Sequence, residues 1–180
     1  MEGICSILKS NQQLLRIPIR QKAKFEGWLK FELASYLEIK GFKDVEVETK
    51  GEKNHFHTDI TFFDDDLHFY SVELKTSNTN WIIPGIRQAG KPITKNIDSI
   101  IADCLKMNSN YGIVAFVLFP IGSNDSRWES YFERIIKKTG IALNKETHCR
   151  VLEMEIDDIH KCDLLVCTFI SKSPIHQRFF

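Results

Sequence analysis

Asp59, Glu73 and Lys75 are the residues of this chain whose types and spacing could do chemistry together. They lie in the stretch Thr58 to Thr76, TDITFFDDDLHFYSVELKT. Two carboxylates held close to one another repel and favour a hard divalent cation, and Mg²⁺ is commonly held by one or two carboxylates with waters and phosphate oxygens completing its shell. An ammonium beside them can orient a water, stabilise its deprotonated form and balance charge on a phosphate under attack. The set points to metal-assisted phosphodiester hydrolysis. The competing account of Glu and Lys two apart is a solvated strand edge that keeps a sheet soluble.

Chemistry of that kind needs two neighbouring strands. Asp59–Phe63 and Phe69–Lys75 are rich in β-branched and aromatic residues, with Asp64-Asp65-Asp66 as a turn cluster between them, so an antiparallel hairpin is expected. Residues two apart on a strand share a face, which puts Glu73 with Lys75, and Asp59 near the end of the partner strand can face both. His55 and His57 alternate with Phe56 onto the Asp59 face, either as transition-metal ligands or as a solvated strand entrance. Upstream, Lys22–Lys40 carries Phe25, Trp28, Leu29, Leu33, Tyr36 and Leu37 at helical spacing, with Gly41 as a stop. At about 100° per residue Glu32 falls inside that apolar stripe and Glu26 at its edge. A carboxylate on a buried face needs a partner or a metal, so Glu32 is the expected helix carboxylate and Glu26 its substitute.

The remaining elements follow in order. Lys43–Thr49 alternates Val45 and Val47 with acidic residues, as a half-solvated strand does. After Lys75 a polar loop carries Trp81, for base stacking or for packing over the sheet edge. Arg87, Gln88, Lys91 and Lys95 then form a basic segment suited to phosphate contacts. Thr94 or Asn96 can cap a helix running to about Asn108, with Ile97, Ile100, Ile101, Cys104 and Leu105 inward. Gly112–Phe119 is continuously apolar, the pattern of a strand buried on both faces. Ser126-Arg127-Trp128-Glu129 reads as a capping box opening a helix that Gly140 ends, and Arg150–Ile156 and Asp163–Ile170 read as closing strands. Residues 1–21 read as a basic extension broken at Ile17-Pro18-Ile19, a solvated segment first, with a packed extension or an arm for a phosphate backbone as the alternatives.

On Asp59 followed one hairpin later by Glu73-Leu74-Lys75, the chain resembles the PD-(D/E)XK nuclease superfamily, the restriction-endonuclease-like fold. Thr58 stands where that pattern usually has proline, a position that does not ligate metal. The order helix, three strands, helix, strand over residues 22–119 matches the αβββαβ core of the superfamily, with the helix and strands of 120–180 appended. The resemblance implies a single α/β domain over 1–180, its mixed central sheet flanked by helices. It also implies a Mg²⁺-dependent endonuclease, with Mn²⁺ as a substitute, that cuts DNA to leave a 5′-phosphate and is restriction- or defence-like. In that scheme Asp59, Glu73 and the backbone carbonyl of Leu74 ligate the metal and Lys75 positions and activates the water. Glu32 then completes the coordination or supports it from outside. RNA stays open as a substrate, and a homodimer is the simple means of cutting two strands. The alternative is a non-catalytic nucleic-acid- or protein-binding member of the same fold.

Charge and composition bound these expectations. The 180 residues carry 24 basic and 24 acidic side chains, so tight non-specific binding to nucleic acid is not expected. Acid concentrates at residues 26–75, around the motif, where a bound cation would offset it. No apolar run approaches the roughly 20 residues of a membrane span. Five cysteines without a C-X-X-C pair fit a reducing interior, and the chain reads as cytoplasmic. His148, Cys149, His160, Cys162 and Cys167 lie close in sequence, but Cys162 and Cys167 are five apart on an expected strand and point to opposite faces, so a zinc site is set aside.

Overall fold

The computed structural model describes residues 1–50, 57–88, 93–107 and 111–172, with the backbone alone at Lys50 and Lys172. His55 and Lys91 lie outside these residues. The described elements are α1 (Glu2–Ser10), α2 (Gln12–Gln21), α3 (Glu26–Ile39), β1 (Lys43–Lys50), β2 (His57–Phe63) and β3 (Phe69–Asn78). They continue with α4 (Ile93–Lys106), β4 (Tyr111–Ile121), α5 (Trp128–Thr139), α6 (Lys145–His148), β5 (Cys149–Glu155) and β6 (Lys161–Lys172). The strands make one mixed sheet in the order β1-β2-β3-β4-β6-β5. β3 and β4 are its parallel pair, since α4 carries the chain across between them, and the other neighbours run antiparallel. Every residue of β4 from Val114 to Ile121 is buried, as its unbroken apolar run requires of a central strand.

Helices cover both faces of the sheet. On one, Leu33 and Leu37 of α3 gather with Phe62, Val72, Ile113 and Ala115 around an apolar cavity of about 340 Å³ that Met1, Gly3 and Ile4 close. Glu73 lies next to Val72 in β3 and therefore points to the opposite face, where α4 packs. Buried Ile93, Ile97, Ile100 and Cys104 anchor α4 there, and α5 packs beside it through Phe132 and Ile135. Gly41 ends α3 at φ +90, where only glycine is unstrained. No described helix is long and apolar enough to cross a membrane.

Five expectations change. Residues 1–21 are two packed helices and not a solvated segment or an arm, because Ile4, Ile7, Leu8, Leu15 and Ile19 recur at helical spacing and are buried. Pro18 sits inside α2 near its end. α3 begins at Glu26, since Lys22 adopts a left-handed conformation that terminates α2. No side chain of Ser126 caps α5, whose first turn is held by the Ser126 carbonyl accepting from Glu129 N–H and by Asp125 accepting from Arg127 N–H. Asn96 lies inside α4, where its side-chain amide donates to the Asn78 carbonyl at 2.8 Å, and Leu105 is exposed.

Candidate active site

The site begins where two strands part. β2 and β3 pair from Phe63 opposite Phe69 back to Ile60 opposite Val72, and there the ladder ends. Asp64 holds the loop closed, accepting from His68 N–H at 2.9 Å and from Tyr70 Oη at 3.2 Å. Beyond Val72 the edge of β3 toward β2 has no strand partner among the described residues, and side chains take the N–H groups of Leu74 and Thr76. Asp59 Oδ2 accepts from Leu74 N–H at 2.8 Å and Glu26 Oε2 from Thr76 N–H at 3.0 Å, while Thr76 Oγ1 accepts from Phe25 N–H at 3.2 Å. A strand residue presents its N–H and C=O to the same edge, so the Leu74 carbonyl faces this gap as well.

The free oxygens of those carboxylates meet ammoniums. Asp59 Oδ1 lies 2.9 Å from Lys30 Nζ, which also reaches Glu48 at 3.1 Å, and Glu26 Oε1 lies 3.8 Å from Lys75 Nζ. From the α4 side, Lys106 Nζ contacts Glu73 Oε2 at 2.9 Å and Asp103 Oδ1 at 3.1 Å, and Asp103 Oδ2 sits 3.5 Å from Lys75 Nζ. Glu26, Asp103 and Glu73 thus interleave with Lys75 and Lys106 in one run of ion pairs, while Asp59 and Glu48 share Lys30 in a second. Glu73 is 3% exposed and Asp103 6%, so their charges depend on these partners.

Burial sets the electrostatics. It pushes the Glu73 carboxyl above the usual carboxylate range, Lys106 pulls it back in part, and Asp59 and Asp103 push it further. Burial works to lower Lys75, yet Asp103, Glu26, Asp59 and Glu73 outweigh it and hold the ammonium above the ordinary lysine value. Lys106, on Glu73 and Asp103, and Lys30, on Asp59 and Glu48, are raised against burial in the same way. All three lysines are therefore cations at neutral pH, able to donate hydrogen bonds and balance charge.

Asp59, Glu73 and Lys75 come together as their strand positions require. Glu26, and not Glu32, is the helix carboxylate that joins them. The apolar stripe of α3 serves two neighbours: Phe25, Leu29, Leu33 and Leu37 turn into the core, whereas Tyr36 turns to α1, where a Cβ on Gly3 would stand 2.7 Å from its ring. Glu32 falls between Trp28 and Tyr36 on the helix and is half-buried. Trp81 is 5% exposed, edge-on to Tyr131 with the Arg127 guanidinium 4.8 Å from its ring centroid, so it packs and is closed to base stacking. Arg87, Gln88 and Lys95 are exposed, as is His57. Cys149 and Cys167 are buried cross-strand partners with their sulfurs 2.8 Å apart.

Lys30, Asp103 and Lys106 are the members that sequence reasoning missed. Lys30 lies four residues after Glu26, on the same helical face, and Asp103 lies three residues after Ile100, at the rim of the α4 stripe. Among the described residues no group of three or more His, Cys, Asp or Glu side chains is arranged to hold a metal ion. Asp59 and Glu73 nonetheless present hard oxygens of the type Mg²⁺ takes, and one or two carboxylates are its usual protein share. Those oxygens are met by ammoniums, Lys30 on Asp59 and Lys106 on Glu73. Comparison with protein-family models, curated proteins and solved structures returns no match.

Proposed function

We propose that the chain is a Mg²⁺-dependent endonuclease that hydrolyses DNA phosphodiester bonds, with a core of the restriction-endonuclease-like type. The observation that carries this reading is the meeting of Asp59, Glu73, Lys75 and Glu26 at the unpaired edge of β3. The order α3-β1-β2-β3-α4-β4, with β3 and β4 parallel, supports it from the side of the fold. Asp59 and Glu73 would hold the cation together with the Leu74 carbonyl. Mg²⁺ there would supply Lewis-acid polarisation of the phosphate and lower the pKa of water. Lys75, tethered between Glu26 and Asp103, orients the attacking water and stabilises the charge that develops on the phosphate. Arg87 and Gln88 after β3 and Lys95 on α4 are exposed and would contact the phosphates. All five cysteines are free thiols, which supports a reducing, cytoplasmic setting, and two sites in a homodimer would cut both strands.

One observation favours a second reading, a non-catalytic binding module of the same fold: Lys30 and Lys106 already neutralise Asp59 and Glu73. Incubating supercoiled plasmid with the protein and Mg²⁺ or Mn²⁺ separates the two. Cleavage that EDTA abolishes, and that Lys75→Ala or Glu73→Ala lowers by at least about 10³-fold, is expected. No cleavage of DNA or RNA and no stabilisation by either metal would give the site to the binding module.

A further inference from the structure

The proposed metal site carries a cation of its own. Lys106 Nζ bridges Glu73 Oε2 at 2.9 Å and Asp103 Oδ1 at 3.1 Å. The three groups differ in freedom: the side chain of Lys106 is 32% exposed, those of Glu73 and Asp103 only 4% and 8%. The acids are fixed in the interior while the flexible lysine reaches in from the rim. Asp103 moreover has a spare acceptor, because its Oδ2 is buried without a hydrogen bond and has only the longer 3.5 Å approach of Lys75. A buried carboxylate oxygen left without a donor is costly, and it marks a place where a donor can be received.

We propose that Lys106 is an exchangeable counter-ion of Glu73, which a divalent cation displaces and which Asp103 then retains beside the site. This rests on the metal-dependent reading above and adds a competition to it. The Lys106 ammonium on Glu73 Oε2 offsets the charge that a metal ion would take there, so a cation that binds through this oxygen competes with Lys106 for it. The ammonium then stays on Asp103, next to Lys75, where both face an incoming phosphate. Metal affinity is thereby held down in the free protein, and the site is kept charge-balanced until substrate supplies more oxygens.

The test reads metal binding, not cleavage. Mn²⁺ binding is measured by electron paramagnetic resonance at constant pH and ionic strength, for the wild type, Lys106→Gln, Lys106→Arg and, as a control for loss of remote charge, Lys138→Gln on α5. Lys106→Gln is expected to bind Mn²⁺ about tenfold more tightly, the scale of one charge-assisted hydrogen bond removed from competition. Lys106→Arg keeps the cation and should retain wild-type affinity, and adding Glu73→Gln to Lys106→Gln should abolish the gain. Binding by Lys106→Gln alone, with none by the wild type, would also support the proposal. Mn²⁺ bound equally by the wild type and Lys106→Gln, or tightened no more than by Lys138→Gln, would overturn it and leave the metal site standing. No Mn²⁺ binding by any of the folded proteins, folding being checked by circular dichroism, would overturn the metal-dependent reading and this inference with it.

Discussion

Lys22 and the lysines at the edge of β3 are both drawn into the protein, but toward different company. Lys22 is 6% exposed and donates to two backbone carbonyls, those of Thr79 at 3.1 Å and Trp81 at 2.9 Å. Carbonyl dipoles satisfy its hydrogen bonds without offsetting its charge, and burial lowers its pKa. Lys30, Lys75 and Lys106 face carboxylates, which satisfy both, and their pKa values are raised. Lys22 is thus a staple between the end of α2 and the loop that follows β3. The other three are ionic partners that can be exchanged for another charge without leaving the backbone unsatisfied.

The contrast can be tested at several strengths. Lys22→Met should cost about 2–4 kcal/mol in urea unfolding, by leaving two inward carbonyls without their donor, while cleavage per folded molecule stays at the wild-type level. A loss of cleavage larger than the loss of folded protein would place Lys22 in the site and erase the distinction. Next in size is the helix carboxylate: Glu26→Gln should lower the cleavage rate about tenfold, one hydrogen bond to a charged group, and Glu32→Gln should leave it within about twofold. The reverse order would return that role to Glu32. Replacing Arg87 and Lys95 together by Gln should raise KM several-fold with kcat unchanged, and flatten the salt dependence of binding by about two units of slope. Altered kcat would mean that these side chains reach the reacting phosphate.

The smallest effect is on stability against pH, and its sign separates the two kinds of lysine. The folded pKa of Lys22 lies below the unfolded value near 10.4, so between them the unfolded chain binds more protons and stability rises with pH. The folded pKa of Lys30 lies above it, so its contribution is present below about 10.4 and is lost as pH climbs through the folded value. Urea midpoints measured between about pH 9 and 11 should lose the rise in Lys22→Met and the fall in Lys30→Met. Parallel curves for the two variants would show that the lysines do not differ as their surroundings require.

How much of this was legible depends on the distance over which a rule acts. Asp59, Glu73 and Lys75 follow from a period of two and one tight turn, and the unbroken apolar run of β4 announces the centre of the sheet. Glu32 was favoured over Glu26 because a helical wheel shows that a face is covered without showing by what. Half of that face belongs to α1, an element hidden by reading Pro18 as a break. Asp103 and Lys106 are ordinary charged residues of an amphipathic helix until α4 is laid against Glu73, which is a tertiary fact. Trp81 had two equal accounts in a polar loop, and Tyr131 on α5, fifty residues on, decides between them.

A strand edge with free N–H groups is a template on which another chain can add a strand, the usual beginning of aggregation. Here Asp59 and Glu26 occupy the N–H groups of Leu74 and Thr76, and the turn around Phe25 lies across them. The carboxylates proposed for catalysis therefore also keep a further strand off the stretch of β3 beyond Val72, and a variant that removes both would expose that stretch to its own kind.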